Sequence, residues 1–108
     1  MNDKILTLLG FAAKAGKLSY GFDAVKTALA QSKSKIVLIA NDVSPKSQKE
    51  ITFFANKYKT EVLVLGDYEM ETLSHAVGRK CGIVSVNDSS FADGLLSAIN
   101  VGRNLNDK

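Results

Sequence analysis

Three aspartates follow directly on short hydrophobic segments and are the first candidates for chemistry. Asp42, Asp67 and Asp88 each come one turn residue after such a segment. In open α/β sheets ligands gather beyond the carboxyl ends of the strands, where three carboxylates could hold Mg²⁺ together with substrate phosphates. Aspartate also forms turns and caps helices wherever strands lead into helices. We favour the turn and cap roles, because no nucleophile or base accompanies the carboxylates, and we expect neither a metal nor a cofactor.

Two glycines, Gly16 and Gly21, have the four-residue gap of a phosphate-cradling loop. The rest of that motif is missing, because Phe22 and Asp23 follow where a nucleotide-binding loop has Lys and then Ser or Thr. A strand should also precede the loop, whereas the pattern here predicts a helix. No G-x-G-x-x-G occurs either, so we do not expect mononucleotide or dinucleotide binding.

A glycine at the start of a helix remains as a candidate, with lysines such as Lys17 near it. Gly21 lets a ligand approach the backbone closely, and the free N–H groups at the helix start favour a phosphate. Asp23 and Lys26 lie three residues apart, about 100° away from Phe22 on the helix, so both should point outward. The alternative stays open that Asp23 complements the helix dipole and Lys26 is simply solvated.

Cysteine and histidine occur once each, as Cys81 and His75. A lone cysteine closes no internal disulfide and supplies no metal cluster. Nucleophilic catalysis would need the two side chains to meet, and their spacing does not indicate it. We expect Cys81 to be a small buried hydrophobe, and we expect His75 to be exposed because it lies off the apolar stripe of its helix.

The charge is uneven along the chain. The net charge is +3 and the pI is about 9.0, but residues 1–60 carry ten lysines against four acidic residues, which gives +6 there and −3 in the rest. Such asymmetry is typical of a protein that meets a polyanion, although a solvated lysine-rich surface has the same composition.

The 108 residues, 45% of them hydrophobic and 23% charged, suit one globular domain. We place the domain at residues 1–102 and expect 103–108 to form a frayed tail. No apolar run reaches the roughly 20 residues of a membrane span, and the first residues do not resemble a signal peptide, so we expect a cytoplasmic protein. No heptad seam or unused apolar stripe is visible, which predicts a monomer.

Hydrophobic periodicity predicts helices alternating with strands. Five helices are expected, with inward stripes Ile5, Leu8, Leu9 and Ala12; Phe22, Val25, Ala28 and Leu29; Ile51, Phe54, Ala55 and Tyr58; Met70, Leu73 and Val77; and Phe91, Leu95 and Ile99. Gly16 and Gly78 are expected as left-handed C-caps, and Ser44 as the N-cap before Pro45. An extended piece is expected at 18–20, and buried strands at 36–40, 62–65 and 83–86. The alternation predicts an α/β protein, a single three-layer α/β/α sandwich with a small mixed sheet of about four strands, whose parallel neighbours are joined by right-handed crossovers.

Four blocks of sequence in a fixed order resemble a known family, and the similarity extends from about Leu6 to Ile99. The blocks are GKLSYGFDAV at 16–25, IVLIANDVSP at 36–45, LSHAVGRK at 73–80 and VSVND at 84–88. They resemble the L7Ae/L30e family of ribosomal proteins, and most of all its YlxQ-like bacterial branch. The resemblance implies an α/β/α sandwich that binds kink-turn RNA, a helix bent sharply at a short bulge beside tandem sheared G·A pairs.

The resemblance also implies which segments contact RNA along one edge of the sandwich. The glycine-led motif touches the guanines and the backbone at the kink, the segment 42–45 lies near a bulged base, and the loop 79–82 packs on flipped-out bases. The corresponding candidates here are Lys17, Gly21, Phe22, Asp23, Ala24, Lys26, Ser44, Arg79, Lys80, Cys81 and Gly82.

Asp23 and Ala24 depart from the family pattern, because strong kink-turn binders carry an Asn-Glu pair at these positions. Guanine presents the acceptors N7 and O6, to which an asparagine amide donates and an ionised aspartate does not. Lys26 could supply the donor, and the bent RNA could be recognised by shape and phosphate contacts. The loop before Ile83 also lacks a clearly aliphatic pair.

Three functions are therefore weighed. The leading interpretation is a non-enzymatic RNA-binding protein, part of the ribosome or acting beside it, that stabilises kink-turn-like RNA. A protein-interaction module of the same fold with a decayed RNA edge is the alternative that Asp23 and Ala24 favour. A small metal-dependent enzyme that uses the strand-end aspartates is the least favoured.

Overall fold

A computed structural model describes the backbone of residues 3–106 and the side chains of residues 3–100. Within these residues five helices alternate with four strands, as the periodicity predicts. The helices are α1 (Lys4–Lys14), α2 (Phe22–Ala30), α3 (Pro45–Lys57), α4 (Met70–Val77) and α5 (Ser89–Asn106), and the strands are β1 (Leu18–Tyr20), β2 (Ile36–Ala40), β3 (Glu61–Leu65) and β4 (Ile83–Val86).

The four strands form one mixed sheet in the order β1-β4-β2-β3. Strands β2 and β3 are parallel, and β4 is antiparallel to both of its neighbours, β1 and β2. The predicted strand number and the mixed character are therefore confirmed, whereas parallel pairing is confined to β2 and β3. Hydrophobic runs such as those of β2 and β4 read the same in either direction, so the sequence pattern could not orient β4.

The helices pack in two groups around the sheet. Helix α1 contacts α4 and α5, while α2 packs against α3. Each helix contributes at least one large side chain that is almost fully buried, among them Leu9, Leu29, Ile51, Leu73 and Leu95. Every residue of the central strand β2 is fully buried between the layers. The predicted three-layer sandwich is confirmed.

Two expectations about burial are wrong. Strand β3 is at the edge of the sheet, so it is only partly buried, and Val64 is 45% exposed. Tyr58, expected in the inward stripe of α3, follows the last residue of that helix and is 37% exposed. In both cases the apolar residue type predicted burial, but the position at an edge or end of an element leaves the side chain uncovered.

The predicted helix ends are confirmed. Gly16 and Gly78 have φ values of +72° and +76° just after α1 and α4, and the Ser44 hydroxyl accepts a hydrogen bond from the Ser47 amide at 3.2 Å, directly before Pro45. Helix α5 extends to Asn106, and residues 107–108 of the expected frayed tail lie outside the described residues. Within residues 3–106, no helix combines the length and apolar character that a bilayer crossing requires.

Candidate nucleic-acid interface

Four chain connections meet at one end of the sheet. Tyr20 at the end of β1 pairs with Val84 near the start of β4, and Ile39 near the end of β2 pairs with Ile83. Because β3 runs parallel to β2, its last residue also lies at this end. The connections are Gly21, 41–44, 66–69 and 78–82. We call this set of residues the loop edge.

Backbone hydrogen bonds hold the connections of the loop edge together. The Gly21 amide donates to the Ile83 carbonyl at 2.8 Å, and the Ala40 amide donates to the Gly82 carbonyl at 2.8 Å. Asn41 joins two further connections, since its amide donates to the Tyr68 carbonyl and its side-chain Nδ2 donates to the Gly66 carbonyl, both at 2.8 Å. These bonds fix the loops before any ligand arrives, which reduces the entropy that binding must remove.

A groove of about 290 Å³ opens between these connections. Four predicted site residues line it together, one or more from each of the three segments that the resemblance assigns to RNA: Gly21, Phe22, Ser44 and Gly82. The groove is completed by Asp42, Val43, Ser47, Met70 and Ile83. Gly82 forms part of the closely packed floor, because a Cβ there would lie only 2.7 Å from the Val43 Cγ2 atom and 2.8 Å from the Met70 Cγ atom.

Gly21 has a backbone conformation that other residues rarely adopt. It is the N-cap of α2 with φ +89° and ψ 166° and offers no side-chain cap. This is a region of the Ramachandran plot that is essentially restricted to glycine. A Cβ at this position would meet nothing within 4 Å, so the helix start is open to solvent, where the first backbone amides of α2 can receive an anion.

Asp23, Ala24 and Lys26 are exposed on α2, while Phe22 is half-buried. The predicted outward direction of Asp23 and Lys26 is therefore confirmed. The Lys26 ammonium lies over the Phe54 ring of α3, with Nζ 4.3 Å from the ring centroid. An exposed carboxylate thus lies in the first turn of α2, and an exposed ammonium group belongs to the residue three positions further along.

Arg79 and Lys80 are exposed on the loop that leads into β4. The Arg79 guanidinium carbon lies 5.0 Å from the ring centroid of Tyr20, the residue directly before Gly21. Burial raises the pKa of the Tyr20 hydroxyl, and the Arg79 charge acts in the opposite direction. The stack places a cation beside the open start of α2.

Cys81 lies in the same loop, but its side chain is buried, with 5% exposure. The Ser74 hydroxyl accepts from the Cys81 amide at 2.9 Å and donates to the Cys81 carbonyl at 3.1 Å. Burial raises the pKa of the Cys81 thiol. The expectation of a small buried hydrophobe is confirmed, as is the exposure of His75. The buried Cys81 thiol is therefore not presented to a ligand, although the residue belongs to the loop that the resemblance assigns to RNA.

Lys17 does not belong to the loop edge. Its carbonyl accepts a hydrogen bond from the Asn87 amide at 2.8 Å, beyond the pair of Leu18 with Val86 at the opposite end of the sheet. Lys17 and Gly21 are only four residues apart, but strand β1 separates them. The two residues are therefore close in sequence but lie at opposite ends of β1.

The three aspartates also fail to converge. Asp42 is at the loop edge and accepts a hydrogen bond from the Met70 amide at 2.8 Å. Asp88 follows β4 at the opposite end and accepts from the Phe91 amide at 3.1 Å. Both carboxylates therefore have the turn and cap roles favoured by the sequence, and the antiparallel β4 separates Asp88 from Asp67. Among the described residues, no group of three or more histidine, cysteine, aspartate or glutamate side chains is placed to hold a metal.

Sequence reasoning missed two kinds of residue at this edge. Asn41 and Ser74 organise the loops through hydrogen bonds to the backbone of distant residues, and no local pattern marks such partners. Tyr20 could have been noticed as an aromatic residue between Lys17 and Gly21, but its contact with Arg79 depends on the pairing of β1 with β4.

Known proteins share the sequence pattern of this chain. Residues 3–95 match the model of the ribosomal protein L7Ae/L30e/S12e/Gadd45 family. The RNA-binding protein YlxQ of Bacillus subtilis is 31% identical over 85% of this chain and 91% of its own length. The large ribosomal subunit protein eL30 of Candida glabrata is 33% identical over 84% of this chain and 87% of its own length.

Solved structures share the fold. A Bacillus halodurans protein described as of unknown function has a TM-score of 0.85 and 27% identity, with 92% of this chain and 99% of that chain covered. The 15.5kD RNA binding protein of Giardia lamblia has a TM-score of 0.73 with 14% identity, covering 93% of this chain and 88% of that one, and indicates the fold alone. The similarity of sequence over residues 3–95 and the shared sandwich show that this chain belongs to the ribosomal protein L7Ae/L30e/S12e/Gadd45 family.

Proposed function

We propose that the protein binds structured RNA of the kink-turn kind through the loop edge, as a non-enzymatic component of the ribosome or a factor acting beside it in the cytoplasm. The observation that carries the proposal is the groove in which Gly21, Phe22, Ser44 and Gly82 meet. Relatives named as RNA-binding proteins and as large-subunit ribosomal proteins support it. One copy presents the whole groove, so the proposal needs only a monomer.

The charges around the groove suit a bent phosphate backbone. The open start of α2 offers backbone amides and a positive helix end to one phosphate. Lys26 lies on one side of it, and Arg79 and Lys80 lie on the loop across the edge. Two strands that converge at a kink would bring several phosphates to these cations, and most of the binding free energy would come from counterion release.

Base recognition differs from that of a strong kink-turn binder. Asp23 is exposed, and a carboxylate accepts hydrogen bonds but gives none to the guanine acceptors N7 and O6. Lys26, three residues further along α2, is an exposed donor on the same face. We therefore infer that the bent geometry is recognised mainly by shape and phosphate contacts, with a reduced preference for the G·A pairs.

The decisive experiment is a titration against a kink-turn RNA and against the same RNA with its G·A pairs replaced, each at two stated salt concentrations. We expect tighter binding of the intact kink-turn, and we expect the affinity for both RNAs to fall steeply with salt. A variant with Gly21→Glu and Lys26→Ala together should lose binding, provided that circular dichroism shows it folded. Unchanged affinity of that folded variant would refute the loop edge as the site.

A protein-interaction module is the second candidate function, because Asp23 and Ala24 place an acidic and an apolar side chain where an RNA-binding edge gains nothing from them. The same titration separates the two candidates. If neither RNA binds at low salt, the protein-interaction function replaces the RNA-binding one.

A further inference from the structure

A second groove, of about 330 Å³, lies on the outer side of α3. It is lined by Lys46, Lys49, Glu50, Phe53 and Phe54, and we call it the α3 groove. Phe53 is 65% exposed, the most exposed of the large apolar side chains described here. An exposed aromatic ring beside lysines can receive a ligand that carries both aromatic groups and negative charge.

The two aromatic rings of the α3 groove are held in a defined arrangement. Phe53 and Phe54 meet edge to face, with ring centroids 5.5 Å apart and an angle of 78° between the ring planes. The Lys26 ammonium lies over the Phe54 ring, which is half-buried. Phe54 is thus partly covered by neighbours, while Phe53 stands out into solvent.

Helix α3 connects the α3 groove with the loop edge. Helix α3 begins at Pro45, and Ser44 and Ser47 line the first groove. Lys46 lies in the first turn of α3 and Lys49 in the next. Phe53 lies about 14 Å further along the helix axis than Ser44 at 1.5 Å per residue. Lys26 lies between α2 and α3, because it stands on the first turns of α2 and its ammonium reaches the Phe54 ring.

Charge decides which kind of partner fits. Lys46 and Lys49 line the groove together with the exposed Phe53 ring, and Glu50 is the acidic residue in the lining. Lys26 adds a third ammonium group over the neighbouring Phe54 ring. A neutral apolar protein surface would have to desolvate these ammonium groups. A single-stranded nucleic acid satisfies both features at once, since its phosphates pair with lysines and its bases stack on an aromatic ring.

We propose that the α3 groove binds single-stranded nucleotides that flank the kinked RNA, with one base stacked on Phe53 and adjacent phosphates at Lys46 and Lys49. The inference rests on the proposed function, because the loop edge delivers the flanking strand. It extends the RNA contact beyond the segments that the family resemblance assigns, onto the outer face of α3.

The test compares a blunt kink-turn RNA with the same RNA carrying a tail of about eight unpaired nucleotides on the 5′ or the 3′ end. The proteins are the wild type, Phe53→Ala, Phe53→Trp and Phe11→Ala. Phe53 is exposed, so its replacement leaves the core intact, and Phe11 is a matched exposed phenylalanine on α1, 57% exposed. Phe53→Trp keeps a stacking surface and reports on stacking by fluorescence quenching, because the chain has no other tryptophan.

We expect one of the tails to tighten binding at least about fivefold, which corresponds to the lower end of the stacking free energy of one base. Phe53→Ala should lose that gain and keep the affinity for blunt RNA, whereas Phe11→Ala and Phe53→Trp should retain the gain. A tail that adds no affinity, or a gain that survives in Phe53→Ala, would overturn the proposal and leave the groove to a protein partner.

Failure of the proposed function gives a different result. In that case wild-type protein would not bind the blunt kink-turn RNA at all. Titration with the eight-nucleotide strand alone would then decide the α3 groove. Binding that Phe53→Ala removes would support it, whereas equal binding by both proteins, or no binding by either, would refute it.

Discussion

The Lys26 ammonium nitrogen lies 4.3 Å from the centroid of the Phe54 ring. This contact joins α2, which begins at the loop edge, to α3, which carries the second groove. A cation–π contact at an exposed site contributes about 0.5 to 1 kcal/mol. The lysine remains exposed, so its charge is held beside both grooves and stays available to a phosphate.

Lys26→Ala should lower the salt dependence of RNA binding. One phosphate contact contributes about 0.7 to 0.9 to the slope of log affinity against log salt concentration, so the slope should fall by roughly that amount. The measurement is a titration with kink-turn RNA at four or more salt concentrations. Lys33→Ala is the matched control, because Lys33 is exposed in the α2–β2 connection at the opposite end of the sheet. An equal change of slope in both variants would contradict a specific contact of Lys26 with a phosphate and would show that only the net charge of the protein matters.

Asp23→Asn should strengthen binding to kink-turn RNA. The amide can donate to guanine N7 or O6, whereas the carboxylate repels the nearby phosphates. Asp23→Ala removes the same charge without adding a donor, so it separates the two effects. We expect the affinity to rise in both variants and to rise further in Asp23→Asn, by the roughly 5- to 150-fold that one good base contact contributes. That further rise should disappear when the G·A pairs are replaced. Equal affinities of Asn and Ala variants would show that only the charge matters.

Gly21→Ala should destabilise the protein although a methyl group has free space there. The cost comes from the backbone. Holding a residue other than glycine in the conformation φ +89°, ψ 166° lowers the free energy of unfolding by about 1 to 3 kcal/mol. The melting temperature should fall by about 4 °C or more for a domain of this size. Gly66→Ala is the control, because Gly66 is also at the loop edge, has open space at its Cβ and has no positive φ. A melting temperature equal in both variants would contradict the strain at Gly21.

The fold was largely predictable because its signals are local. The stripes that bury Leu9, Leu29 and Leu95 and the apolar run of β2 follow from spacing alone, and so do the caps at Ser44 and Gly78. The direction of β4 could not be derived in this way. All of its residues are buried, so the strand lacks the alternation of apolar and polar residues that is typical of antiparallel strands with one exposed face.

The sequence predicted which segments form the candidate site, but it was less accurate about which individual residues line it. Gly21, Ser44 and Gly82 converge on one groove as the resemblance implies. The position of Lys17 away from the loop edge depends on the pairing of β1 with β4. The placement of Cys81 depends on hydrogen bonds from Ser74 of α4. The sequence around Lys17 and Cys81 shows neither of these contacts. For the same reason the exposed ring of Phe53 is visible only once α3 is packed, since the residue type alone predicts burial.

Ser74→Ala should loosen the loop 78–82. The Ser74 hydroxyl bonds to both the amide and the carbonyl of Cys81, and its loss leaves two backbone groups next to a buried side chain unsatisfied, at a cost of about 1 to 3 kcal/mol.

Alkylation of Cys81, the only cysteine in the sequence, measures this loosening. The thiolate is the reactive form, and burial raises the pKa of this thiol, so the native protein should react slowly at pH 8 and its rate should rise only at higher pH. In Ser74→Ala the rate at pH 8 should increase roughly tenfold, because the loop opens more often and the opened thiol regains its ordinary pKa. Ser97→Ala, an exposed serine on α5, should react like the wild type. An unchanged alkylation rate in Ser74→Ala would show that the loop is held by its packing on Val43 and Met70, without help from the hydroxyl.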